Sequence, residues 1–201
     1  MGSSDRGGTS EAVLVARRAM RTARREMTRW VVTPVAAMWL LEVCDQLLPR
    51  PGLDAFGIRP HIEAGVWGIL FAPFLHRGFA HLAANTIPLL IFGTLVLTRG
   101  AGTFLRVSIG VIVVGGLGVW LFGRPGSIHL GASGLVFGYL GYLMTIGWFE
   151  RHLGWIALSI GLALLYGGVL RGVLPGTPGI SWEGHLSGFL AGCAMARWSV
   201  R

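Results

Sequence analysis

Gly131-Ala132-Ser133-Gly134 places a glycine-flanked serine at the start of an apolar segment, and His185 opens a second apolar segment about fifty residues later. A serine hydroxyl is a weak nucleophile until a base within hydrogen-bond reach takes its proton, and imidazole can return that proton to a leaving amine. A nucleophile and a base carried on apolar segments point to hydrolysis inside a bilayer. His81 and Asn85, four residues apart near the start of an earlier apolar segment, share one helix face.

The composition supports a bilayer as solvent. Hydrophobic residues make up 53% and charged residues 13% of the 201, mean hydropathy is +0.63, and most of the 17 basic residues cluster outside the long apolar runs. Every basic residue is Arg, which reads as codon bias and carries no function. A net charge of +8 and a pI near 11.2 could suit nucleic acid. Seven of the arginines, however, fall in the first 29 residues, where juxtamembrane charge is the simpler account, and there is no aromatic-basic platform. Nucleic acid is therefore not an expected partner. Cys44 and Cys193 sit within apolar runs and read as small core residues, not as a disulfide or zinc framework. No metal or other cofactor is called for.

These residues must be positioned by six apolar segments, at about 30–48, 79–98, 104–122, 132–149, 153–170 and 184–198, each near the length a helix needs to cross the hydrocarbon core. The fold class is thus all-α, a polytopic six-helix membrane domain over 30–201 behind a basic tail over 1–29. The first segment could be a signal peptide, but Glu42 and Asp45 interrupt its end and no small-x-small cleavage site follows. Glu42 is expected toward the outer end of that helix. Arg6, Arg17, Arg18, Arg21, Arg24, Arg25 and Arg29 put the tail in the cytoplasm, either as a surface amphipathic helix from Glu11 to Trp30 or as a partly disordered anchor. Asp5, Glu11 and Glu26 count against a mitochondrial transit peptide. The connection from Pro49 to about Gly78 is too apolar for a solvent loop and too broken by Pro and Gly to span, so it is expected to lie partly embedded in the outer interface.

With the N-terminus inside, the second, fourth and sixth helices all run from outside to inside. Their first turns, which hold His81, Asn85, Ser133 and His185, then share one depth near the outer face. Gly134, Gly138 and Gly141 on the fourth helix, and Gly184, Gly188 and Gly192 on the sixth, would let two backbones approach closely and bring Ser133 toward His185. His185, Gly188 and Gly192 follow i, i+3, i+7, so the histidine projects from the packing face. One intramembrane polar residue is often a packing residue, but four converging at one depth make a site.

At this point the chain resembles the rhomboid family of intramembrane serine proteases. The matching pieces are His76-x4-His81-x3-Asn85, Gly131-Ala132-Ser133-Gly134 and Gly184-His185-x2-Gly188-x3-Gly192, and the resemblance covers about Leu53 to Trp198. It implies that Ser133 is the nucleophile and His185 the general base and acid, a dyad without a carboxylate. His81 and Asn85 would form the oxyanion hole with the Ser133 amide, a role that side-chain donors and a helix N-terminus can fill. Gly131, Gly134, Phe137 and Gly188 would support the site, and His76 would lie in the water-accessible cavity. Glu183 reads as adjacent loop charge and not as a third triad member.

Where many bacterial members carry Trp-Arg in the first loop, this chain has Trp67-Gly68; four residues after the serine, where many have Tyr, it has Phe137, which can still pack on His185. His61, His129 and His152 have no matched role and read as loop or interface residues. The resemblance implies single-span membrane proteins with helix-destabilising, small-residue sites as substrates, since a helical backbone hides its scissile carbonyl. It also implies the bacterial plasma membrane as location, with both termini cytoplasmic. Two other classes are weighed. A silent client-binding relative would usually have lost the serine or the histidine, and a small transporter would show an internal repeat and polar residues spread through the membrane depth.

Overall fold

The structure, a computed structural model, describes residues 5–176 and 179–201. The described residues are helical throughout, apart from loops and a single extended bridge between Ile58 and His129. The tail forms a helix, α1 (Asp5–Met27), that continues through a π turn (Thr28–Val32) into α2 (Thr33–Gln46). The remaining long helices are α3 (Phe79–Leu97), α4 (Ala101–Phe122, with a π turn at Val111–Gly115), α5 (Ser133–Glu150), α6 (Leu153–Tyr166) and α7 (Trp182–Trp198). A helix overlaps each of the six expected apolar segments.

Two of these helices, α3 and α4, are long and apolar enough to cross a membrane by length and composition. The others differ for a physical reason. α5 is encased by its neighbours, with every residue from Val136 to Leu143 buried, so it does not need the uniformly apolar surface that lipid contact demands. α6 stops at Tyr166, short of the expected 170, because Gly167-Gly168 ends it and the chain turns into a short 3-10 segment (Val169–Val173).

Glycines set how closely the central helices approach. A Cβ on Gly188 would collide with the Gly134 carbonyl, one on Gly192 with the Gly138 carbonyl, and one on Gly141 with the Phe189 carbonyl. α5 and α7 therefore cross backbone against backbone, as the two glycine series predict. From the other side, Gly115 in the π turn of α4 approaches Gly188, and a Cβ there would stand 3.2 Å from the Gly188 Cα. Around this crossing the core is filled by Leu82, Phe92, Val107, Tyr139, Leu140, Leu143 and Ile146. Its polar groups are paired: Tyr139 and Ser108 share a 2.7 Å hydrogen bond, and Ser159 Oγ donates to the Leu143 carbonyl.

The long connection between α2 and α3 is a chain of short helical turns at Gly52–Phe56, Glu63–Trp67, Gly68–Phe71 and Ala72–Phe74. Ile58, Ile69 and Ala72 bury against Val119 of α4, while Phe56, Trp67, Leu70 and Phe71 point outward. Backbone pairing anchors it where the Trp-Arg pair is missing. Ile58 and His129 exchange both hydrogen bonds, His61 N donates to the Trp120 carbonyl, and Trp120 Nε1 donates to the Ile62 carbonyl. Gly68 packs so closely on Gly57 that a Cβ would meet its carbonyl, so the residue after Trp67 has no room for a side chain.

Three smaller expectations change. Cys44 is exposed on the outside of α2, not in the core, and Cys193 is half-buried with its thiol 3.7 Å from the Gly141 carbonyl. Glu183 lies in the first turn of α7, buried, with Arg124 as ion partner at 3.9 Å, and is not loop charge. Leu164, Leu165, Ile87 and Leu190 face outward at 81%, 80%, 65% and 56% exposure, an arrangement that water would penalise and an apolar surrounding would not.

Candidate active site

Ser133 is the first residue of α5, His185 lies in the first turn of α7, and His81 and Asn85 occupy the first two turns of α3. All four line one cavity of about 440 Å³, together with Phe137 and Ser181. The three helices present their N-terminal turns to the same space.

The loop entering α5 is held from behind. Gly131 takes φ +111, a conformation that suits glycine, and its Cα lies so close to the His81 ring that a Cβ would come within 2.6 Å of it. The Gly131 amide donates to the Ala72 carbonyl at 2.8 Å. The next amide, Ala132 N–H, donates to His76 Nε2 at 3.1 Å. His76 is thus a backbone anchor, 2% exposed and outside the cavity lining, which corrects the expectation that it faces a water-accessible space. Burial, reinforced by the neighbouring His81, holds its pKa down to about 4; the lone pair that accepts from Ala132 therefore stays unprotonated at neutral pH.

Hydrogen bonds also fix the tautomers facing the cavity. His185 Nδ1 lies 2.9 Å from the Gly172 carbonyl. A carbonyl can only accept, so Nδ1 carries the proton and Nε2 keeps its lone pair, which is the form a general base requires. The ring stacks on Phe137 at 4.2 Å and 13°, as expected, and a backbone carbonyl takes the orienting place a carboxylate holds in a triad. Glu183 does not reach that nitrogen. His81 Nδ1 accepts from the Arg77 amide at 3.4 Å, which leaves its Nε2–H as the donor. Asn85 Nδ2 donates to the His81 carbonyl at 2.9 Å, and its second N–H remains. Among the described residues no hydrogen bond joins Ser133 to His185.

Pro88 adds a free backbone acceptor to the wall. Lacking an N–H, it frees the Ala84 carbonyl from the α3 ladder, and Ala84, Asn85 and Pro88 all border the cavity. Among the described residues no group of three or more His, Cys, Asp and Glu side chains could hold a metal ion.

A family model, the Rhomboid domain, matches residues 63–201. The chain belongs to the rhomboid family. Its similarity to Mycobacterium tuberculosis Rv1337 is 43% identity over 190 residues, 87% of this chain and 78% of that protein. Mycobacterium leprae ML1171 is 41% identical over 189 residues, covering 87% and 74%. The rhomboid protease GluP of Bacillus subtilis is 30% identical over 168 residues, 81% of this chain and 32% of GluP. Rhomboid proteins are membrane-embedded, which accounts for the outward-facing apolar side chains.

Of the motif residues, His81, Asn85, Ser133 and His185 are brought to one cavity; His76 lies behind it, and the motif glycines serve the loop and the helix crossing. Sequence reasoning missed three further groups at this site. The Gly172 carbonyl has no side-chain signature. His129 and Ser181 line the cavity too, and Ser181 was legible as a helix cap, since Ser immediately before an apolar helix accepts from its first amides; its Oγ takes the Gly184 N–H at 3.2 Å.

Proposed function

We propose that this rhomboid protein is an intramembrane serine endopeptidase whose nucleophile is Ser133 and whose general base is His185. The observation that supports the reading is the protonation pattern at one shared cavity: the Gly172 carbonyl claims the His185 Nδ1 proton, which leaves Nε2 bare in a cavity that the helix-terminal Ser133 also lines. His185 Nε2 takes the Ser133 proton as Oγ attacks the scissile carbonyl, then delivers it to the leaving amine. Charge developing on the carbonyl oxygen is met by His81 Nε2–H, the free Asn85 N–H and the Ser133 amide at the N-terminus of α5. A second attack by water, activated by the same imidazole, releases the acyl group.

The cavity is large enough to hold several waters, so deacylation does not require water to cross dry lipid. The substrates are single-span membrane proteins whose helices unwind locally near the site. We further propose six membrane spans, the arginine tail in the cytoplasm and the cavity toward the outer face of a bacterial plasma membrane. Retention of both Ser133 and His185 favours a working protease over a silent client-binding relative.

The test uses purified protein, a fluorophosphonate probe and a single-span reporter. Labelling and cleavage are both lost in Ser133→Ala, and cleavage is lost in His185→Ala. Equal cleavage in either variant would overturn the mechanism.

A further inference from the structure

His129 is four residues before Ser133 and has no place in the proposed chemistry, yet it is 6% exposed and joins three elements. Its backbone pairs in both directions with Ile58 of the first loop, at 2.8 and 2.9 Å. Its ring bridges Ser127, in the loop before α5, and Ser181, the N-cap of α7, at 2.7 and 2.6 Å.

The proton positions along this bridge follow from one fixed end. Ser127 Oγ donates to the Arg124 carbonyl, which can only accept. The Ser127 oxygen must then accept from His129 Nε2–H, which leaves His129 Nδ1 with a lone pair. That lone pair accepts from the Ser181 hydroxyl, whose oxygen meanwhile accepts the Gly184 amide. Ser181 also gives its backbone carbonyl to the His185 amide at 3.0 Å. The first turn of α7, which carries His185, is therefore tied through Ser181 and His129 to the segment that leads into Ser133. Burial pushes the His129 pKa down, the nearby Glu183 carboxylate opposes this, and Arg124 and Arg77 reinforce it; the neutral ring that the chain of bonds requires is the favoured form.

We propose that His129 is a positioning residue that, by accepting from Ser181, sets the register of the α7 first turn against the start of α5 and so places the His185 ring for Ser133. This rests on the dyad proposed above. It gives the site a side-chain strut at the N-terminal ends of α5 and α7, next to a crossing whose glycines supply close approach. A displacement of about 1 Å at such a site can cost on the order of 10²-fold in rate.

The test measures kcat and KM for a single-span reporter with the purified full-length protein, alongside its melting temperature and Ser133→Ala. His129→Ala is expected to lower kcat about 10- to 100-fold while KM stays within about twofold. His129→Asn places Oδ1 where Nδ1 was, accepts from Ser181 and restores most of the rate. His129→Gln reaches Ser127 but leaves the Ser181 hydroxyl without its acceptor, and stays as slow as the alanine variant. Wild-type kcat in His129→Ala, rescue by Gln as good as by Asn, or failure of all three variants to fold would each overturn the positioning role. Cleavage surviving in Ser133→Ala would instead remove the dyad on which it rests, so the two failures are distinguishable.

Discussion

The two ends of α5 solve opposite problems. At its N-terminal end Ser133 faces a cavity among imidazole and amide groups, each with one hydrogen-bonding position committed to the backbone and another left over. At its C-terminal end Glu150 is ion-paired with Arg99, which also donates to the Tyr142 hydroxyl at 3.1 Å and lies 4.7 Å over the Trp155 ring. There, the Arg99, Glu150 and Tyr142 groups are matched to one another. Spare hydrogen-bonding capacity marks the end to which the proposed chemistry is assigned, and paired capacity marks the end that holds the bundle.

Between the two ends lies the glycine crossing, where a substitution should damage both. Gly188→Val puts branched carbon onto the Gly134 carbonyl, and separation of α5 from α7 would move His185 away from Ser133. The expected result is complete loss of cleavage and a fall of about 10 °C in melting temperature, taking about 3 kcal/mol for overpacking. Full activity in Gly188→Val would show that the two helices need not touch.

The pH response should come from the cavity end. His76 has its pKa held near 4 in the folded protein against an ordinary 6.5, so the unfolded chain binds the extra proton first as pH falls. Its contribution is fully present above about pH 6.5 and is lost progressively down to about pH 4, amounting to about 3 kcal/mol at most. In His76→Gln the side-chain oxygen still accepts from Ala132 but does not titrate. Melting curves of wild type and variant should therefore diverge on acidification, with the wild type losing more; parallel curves would remove His76 as the source.

A rate effect without a stability effect is expected at Gly172. A Cβ there would stand 3.0 Å from His185 Nδ1 and 3.2 Å from the Phe137 ring, close enough to tilt the imidazole yet beside the cavity, where space absorbs the shift. Gly172→Ala should lower kcat about tenfold and leave the melting temperature within about 2 °C. An unchanged kcat would mean the imidazole keeps its working position beside the added methyl.

How much of this was legible in the chain depended on whether a signal ran along a whole segment. Apolar runs placed α3 at 79–98 against Phe79–Leu97 and α7 at 184–198 against Trp182–Trp198, because a span needs an unbroken apolar stretch. The glycine series pointed to the α5–α7 crossing because a regular helical spacing keeps small residues on one face. What escaped was pairwise or local. Gly167-Gly168 ended α6 inside an apolar run, and the Gly172 carbonyl that meets His185 lies in the turn beyond it. His129 finds its partners 2 and 52 residues away, a spacing that no helix period encodes. Glu183 looked like loop charge because its burial depends on Arg124 and on how far α7 extends.

The paired end offers the smallest effect and the sharpest contrast. Arg99 and Glu150 keep side-chain exposures of 15% and 26%, so their pairing is partly screened by solvent, but removing the guanidinium also strips Tyr142 and Trp155 of a partner. Arg99→Met preserves much of the length and apolar stem of the side chain while leaving Glu150 uncompensated. We expect a loss of about 1–2 kcal/mol, seen as a melting temperature lower by about 5 °C. Because Ser133 lies 17 residues from Glu150 along α5, about 25 Å of helix rise, kcat measured well below melting should not change. If kcat fell while stability held, the two ends of α5 would be coupled, and the division of labour along this helix would have to be abandoned.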